Sequence, residues 1–192
     1  MHQLWGNSLI VGSIVTSMSV MAAPQLFNTE LKGATRDQIR SALQNTNVKV
    51  IREDNNYWID KYNSNAVLEG TTELNFGYTS NGKFAYAEYK FPVFMDSGKI
   101  LEVANFVSSK YGKPSQRSGN PSLGEASFTW NFKNGMSITA YRGWPDTTTY
   151  LNYTDKINYS KMNNEIEAEK TASKNTSRKQ LYSQKSTIEK LM

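Results

Sequence analysis

The chain has no cysteine and a single histidine, His2. Without cysteine there is no disulfide framework, no thiol nucleophile and no thiolate metal site. His2 lies in an apolar leader, so the part expected to act after export has no imidazole either. Ser-His-Asp and Cys-His nucleophilic catalysis are therefore excluded for the mature chain. Zinc and most transition-metal sites, which rely on imidazole and thiolate, go with them. An enzyme made from this sequence would have to use carboxylates, lysine, tyrosine or an oxygen-ligated metal. No cofactor and no metal is expected.

Charge is missing where the chain begins. Residues 8–21, SLIVGSIVTSMSVM, carry none, and the residues before them contain no Lys or Arg. An apolar core of roughly 7–15 residues followed by small residues is the pattern of a secretory signal. Val20 and Ala22 suit the small-residue positions ahead of a cut after Ala22, with a cut after Ala23 as the alternative. A spanning helix takes about 20 apolar residues, and here Gly12, Ser13, Thr16, Ser17 and Ser19 dilute a shorter run. No cysteine follows to accept a lipid. Residues 1–23 are thus read as a signal peptide, and the mature protein as a bacterial periplasmic or secreted one with no stable membrane anchor.

The rest is long enough for one domain with its own core. Thr35 and Gln38 form a capping-box pattern ahead of a helix over 36–45, with Ile39, Ala42 and Leu43 on one face. Residues 48–52 and 57–62 are rich in β-branched and aromatic residues around Asp54-Asn55-Asn56, which predicts a hairpin. A second hairpin is predicted from Leu74, Phe76 and Tyr78, the turn Ser80-Asn81-Gly82, and the alternating run 84–91. Asn-Gly here suggests a type I′ turn, with positive φ at both central residues.

Asp96 or Ser97 can cap a second helix, in which Ile100, Leu101, Val103, Ala104 and Val107 share a face. Gly112 and Pro114 stop it. Residues 115–126 are polar and read as an exposed loop. Phe128, Trp130 and Phe132 then alternate, Asn134-Gly135 turns the chain, and Met136, Ile138 and Ala140 return. Gly143-Trp144-Pro145-Asp146 makes another turn before a last strand with Thr149, Leu151 and Tyr153. The fold class is α+β. We expect an antiparallel sheet of about five to seven strands over residues 24–155, with two helices on one face and water on the other.

Composition changes at residue 156. The extension 156–192 has no Gly and no Pro, and it carries eight Lys and Arg against four Glu, a net +4 of the chain's +5. Ile157, Met162 and Ile166 are sparse for a core helix, and Leu181, Ile188 and Leu191 return only near the end. A charged, partly helical, exposed or disordered segment is expected, ordered mainly by a partner. Its lysines are interspersed with Glu and lack an aromatic-basic pattern, so no specific nucleic-acid binding is expected.

Aromatic side chains are what the sequence has in excess: eleven Tyr, eight Phe and four Trp. Tyr86, Tyr89, Trp130, Tyr141 and Trp144 are the candidate binding residues, because aromatics on a sheet face stack ligands or anchor interfaces. The plainer account is that aromatics favour half-buried strands. Trp144 stands out, since a turn does not need a tryptophan to form. Asp60, Glu73 and Glu88 sit on predicted strands and are the carboxylates available for acid-base work. Glu88, flanked by aromatics, is the first of them to test, and no catalytic residue is assigned.

A helix ending Lys110-Tyr111-Gly112-x-Pro114, a strand bearing Trp130 and a last strand Leu151-Asn152-Tyr153 resemble small bacterial exported α+β proteins, many of them uncharacterised. The element order is also similar to that of β-lactamase-inhibitor-like and outer-membrane-assembly lipoprotein domains. The resemblance implies a binding or assembly role and supplies no catalytic residue. The leading expectation is a non-catalytic module that recognises another envelope protein, as an inhibitor or an assembly factor. The alternative is a carboxylate-based hydrolase acting on envelope glycans.

Overall fold

The structure is a computed structural model that describes residues 22–56, 58–93, 96–145 and 148–189, the last nine by backbone alone. Nearly all of the expected signal, together with Tyr57, Asp146 and Leu191, lies outside the described residues. A small hairpin opens the fold, β1 (Gln25–Leu26) with β2 (Thr29–Glu30). Helix α1 (Arg36–Gln44) follows, and both hydrogen bonds of the Thr35/Gln38 capping box are present. Four strands come next: β3 (Lys49–Arg52), β4 (Ile59–Asn63), β5 (Glu73–Tyr78) and β6 (Phe84–Phe91). After helix α2 (Lys99–Tyr111) come β7 (Gln116–Gly119), β8 (Ala126–Asn131), β9 (Met136–Arg142) and β10 (Thr149–Asp155). The last element is α3 (Lys156–Glu189), a single helix of 34 residues.

Strands β3 to β10 form one antiparallel sheet in the order β3-β4-β5-β6-β10-β9-β8-β7. Each half is a four-stranded meander preceded by a helix, and the two last strands, β6 and β10, pair at the centre. The sheet exceeds the expected five to seven strands because β7 falls in the segment read as a loop. All four of its residues are exposed. An edge strand without a buried side gives no alternation to read, and only its backbone pairing with β8 makes it a strand.

One face of the sheet meets α1 and α2. Tyr62, Leu74, Phe76, Ala87, Tyr89, Leu151, Ile138 and Trp130 point that way and are buried with Ile39 and Leu43 of α1 and Ile100, Val103 and Val107 of α2. Leu101 departs from expectation: it faces solvent, because α2 buries a narrower stripe than its sequence allows. Both Asn-Gly turns depart as well. Gly82 and Gly135 have φ of 70° and 83°, yet Asn81 and Asn134 are not left-handed. Gly82 N–H bonds Thr79 C=O and Gly135 N–H bonds Phe132 C=O, so each loop is a three-residue turn closed by a left-handed Gly. Past Gly82 the register shifts, Gly77 pairing with Tyr86 but Tyr78 with Phe84. This bulge at Ala85 sends Phe84 into the core beside Tyr78.

The second face is not simply wet. Asp155, buried at the end of β10, accepts from Lys32 Nζ at 2.8 Å and from the N–H groups of Ile157 and Asn158 at 3.1 and 3.2 Å. It thereby starts α3, which lies over β6 and β5. Asn158, Met162, Glu165 and Glu169, at spacings of four, three and four residues, make contacts with the sheet, and Tyr159 adds one to Tyr86. Asn158 donates to Phe84 C=O at 2.8 Å, Met162 is buried, and Glu165 accepts from Ser80 N–H and Oγ at 2.9 and 2.7 Å. Trp58 Nε1 donates to Glu169 at 2.8 Å. The expectation that a partner would order this segment is corrected for its first half, which the sheet itself holds. From Lys170 to Gln180 every residue is exposed. No helix among the described residues is long and apolar enough to cross a membrane.

Gly77 permits the close approach of α3. A Cβ there would lie 2.1 Å from Tyr86 Cε1 and 3.0 Å from Met162 Sδ. Gly77→Ala is expected to displace the Tyr86 ring and loosen α3, at a cost of about 1–3 kcal/mol. Hydrogen exchange should accelerate over residues 156–169 and stay slow in β8 and β9; uniform protection would show that α3 docks without this contact.

A buried ion pair ties α1 to the sheet. Asp60, fully buried, accepts from Arg40 Nε and Nη2 at 2.9 and 2.8 Å, and Arg36 Nε lies 3.4 Å away. The bond to Asp60 raises the Arg40 pKa and keeps that guanidinium charged. Asp60→Asn leaves both arginines short of their counter-charge and is expected to destabilise the chain by about 3–5 kcal/mol. The urea midpoint checks this.

Candidate functional site

Pairing register brings one residue from each of seven strands into a line across the second face. Lys61 is opposite Asn75, Asn75 opposite Glu88, Glu88 opposite Asn152, Asn152 opposite Thr139, Thr139 opposite Thr129, and Thr129 opposite Gln116. Every member of the row is polar. Tyr86 and Thr154 flank it on the side of α3, and Lys90, Tyr150, Tyr141 and Ser127 on the other. Between these rows lies a groove of about 440 Å³, lined by Tyr86, Glu88, Thr139, Tyr141, Asn152 and Tyr159 among others. Tyr159 meets Tyr86 edge-on, with centroids 5.5 Å apart at 85°. Tyr141 stacks on Tyr150 at 6.1 Å and 23°.

Glu88 is the charged group in this groove. Burial pushes its carboxyl pKa up; a hydrogen bond from Asn75 and the charges of Lys90 and Lys61 act against that, and Glu73 adds to it. None of the described ion pairs includes Glu88. On either side of it, Asn75 Oδ1 and Asn152 Oδ1 are buried with no donor among the described residues. A larger hollow of about 800 Å³ lies between the β1–β2 hairpin and α1, but no aromatic ring lines it. The groove at Glu88 is therefore the better candidate, since aromatic rings and a carboxyl converge there.

The structure does not gather the five candidate aromatics on one surface. Tyr86 and Tyr141 line the groove. Trp144 is 66% exposed on the β9–β10 turn, with its ring against Gly124. Backbone at Gly143 packs against the Tyr141 hydroxyl, so Tyr141 and Trp144 share one end of the sheet. Trp130 and Tyr89 need correction, because they point to the helical layer and are buried. Trp130 Nε1 donates to Gly112 C=O at 2.8 Å and so fixes the end of α2. Among the carboxylates, Asp60 belongs to the ion pair on the helical face, whereas Glu73 shares a face with Glu88 one diagonal step away. Sequence reasoning missed Asn75, Asn152 and Tyr159. Register alone places the two asparagines beside Glu88, and Tyr159 sits at the start of a segment that reads as solvent-facing.

No family model matches the chain, and no curated protein matches it in sequence. Among solved structures it is similar to a DUF4309 family protein (YjgB) from Bacillus subtilis subsp. subtilis str. 168, at 13% identity over 70% of this chain and 87% of that chain, with a TM-score of 0.41. A likeness of that size carries no argument about function.

A carboxyl whose pKa is raised by folding weakens the fold as pH climbs from its unfolded pKa through its folded one, because the native state then holds more protons than the unfolded state. Burial has this effect at Glu88. Glu88→Gln is therefore expected to be more stable than the parent at neutral pH, with the difference vanishing below the ordinary carboxylate range. Urea midpoints at acid and neutral pH test this, and a variant less stable at neutral pH would contradict it.

Proposed function

We propose that the chain is a non-catalytic binding module that recognises another envelope protein, as an inhibitor or an assembly factor, in the periplasm or after secretion. One observation carries this reading: the second face of the sheet is covered by α3 only in part. Tyr141, at 36% exposed beside the polar row, and Trp144, at 66% on the turn that follows β9, remain accessible. Large aromatics next to hydrogen-bonding groups are the composition of interface centres, where a few residues supply most of the affinity. Leu123, 79% exposed and adjacent in sequence to the Gly124 that carries the Trp144 ring, extends the same end. Export rests on the apolar leader and the small residues that follow it.

The alternative, a carboxylate hydrolase acting on envelope glycans, draws on the buried carboxyl of Glu88 with Glu73 one diagonal step away. Such an enzyme needs one protonated and one ionised carboxyl flanking the bond it breaks. Loss of glycan cleavage in Glu88→Gln would favour it.

Capture from the native envelope with the mature chain tests the binding reading. Trp144→Ala and Tyr141→Ala are each expected to weaken capture of the partner about tenfold or more, the scale of an interface centre. Capture unchanged in both variants would overturn the assignment of this surface.

A further inference from the structure

The groove beneath Tyr159 is lined by one carboxyl and by no lysine or arginine. Glu88 and Asn152 lie on its floor, and Asn75, opposite Glu88 on the neighbouring strand, lies outside the lining. The rings of Tyr86, Tyr141 and Tyr159 form the walls. Aromatic faces, like carbonyl oxygens, present negative potential to whatever lies between them.

Each element packed around Glu88 can be checked for the missing positive charge. Strand β4 contributes Lys61, β5 Glu73 and β6 Lys90, and both lysines act on Glu88 only at range. The residues facing it from β10 and β9, Asn152 and Thr139, are neutral. Helix α3 supplies Tyr159, while its Lys161 pairs with Glu165. No described lysine or arginine pairs with Glu88.

We infer that this groove is a binding site for an alkylammonium group, of the kind a lysine side chain carries, with Glu88 as its counter-ion and Tyr86, Tyr141 and Tyr159 as its aromatic walls. The inference rests on the reading of this face as a docking surface, and it names the group that is docked. An ammonium ion supplies the positive charge that the lining of the groove lacks, and its methylene stem packs along the tyrosine rings. A metal ion fits less well. Hard cations take six or more oxygen ligands, and among the described residues no group of three or more acidic, His or Cys residues comes together. A neutral sugar would leave the carboxylate uncompensated.

The test uses the purified mature chain and three probes: Nα-acetyl-lysine N-methylamide, the same compound acetylated at Nε, and cadaverine. Titration is followed by NMR at Glu88, Tyr86 and Tyr159. The charged lysine probe is expected to shift these residues, and the Nε-acetylated probe to bind roughly tenfold more weakly or not at all. Glu88→Gln, which should fold at least as well as the parent, is expected to lose roughly tenfold in affinity, and Tyr159→Ala several-fold. Binding should fall as pH drops and Glu88 takes up its proton. Equal binding of the acetylated probe, or no shift with any cation up to roughly 50 mM, would overturn the inference.

Tighter binding of cadaverine would assign free diamines as the source of the group, and tighter binding of the lysine probe a protein lysine; both support the site. The two readings also fail separately. If Trp144→Ala abolishes capture while the cationic probes are silent, docking stands and the ammonium site falls. If the probes bind and no partner is captured, the ammonium site stands and docking falls.

Discussion

Pairing of β6 with β10 is the interaction on which the other features depend. Each half of the chain is a meander that would be a four-stranded sheet by itself, and only this seam makes them one sheet of eight. Its register sets both faces at once. Tyr89 opposite Leu151 joins the core, and Glu88 opposite Asn152 joins the polar row. Slipping the seam by one residue would turn Glu88 into the core and Tyr89 outward, so burial of the helical face holds the polar row in place on the other.

The two faces are closed by different means. Helices α1 and α2 cover the first with apolar side chains, aided at α1 by the Arg40–Asp60 bond. Helix α3 covers part of the second mostly through polar contacts, at Ser80, Trp58 and the Phe84 carbonyl, with Met162 as its buried apolar residue. Such a contact is local. It begins at Asp155, passes over Gly77 and ends near Glu169, beyond which the helix has no sheet beneath it.

A carboxyl whose pKa is raised by burial weakens a fold at neutral pH, and Glu88 is such a group, with Lys61 and Lys90 offsetting only part of that effect. Glutamine would fill the same space without the charge. Where stability is given up at a surface groove, a role in binding or chemistry is the physical expectation. The surrounding tyrosines make this groove the point at which the partly covered face differs most from an ordinary solvated sheet.

Much of the fold is local and therefore legible. The capping box of α1, the stop at Gly112 and the turns at Gly82 and Gly135 follow from residues a few positions apart. Parity along a strand was legible too: Tyr86 and Tyr89, three apart, had to face opposite sides. What sequence did not decide is which side would be covered, and by what. Strand β7 exists only because β8 offers its backbone, and Tyr159 reaches the groove only because the seam presents Tyr86 to it. The sequence alone thus determined most of the elements, their order and the absence of thiol chemistry. Only tertiary structure decided that Trp130 is core, that Tyr141 is surface, and that Glu88 lies between two asparagines. Those facts depend on register between strands far apart in the chain, which no local pattern encodes.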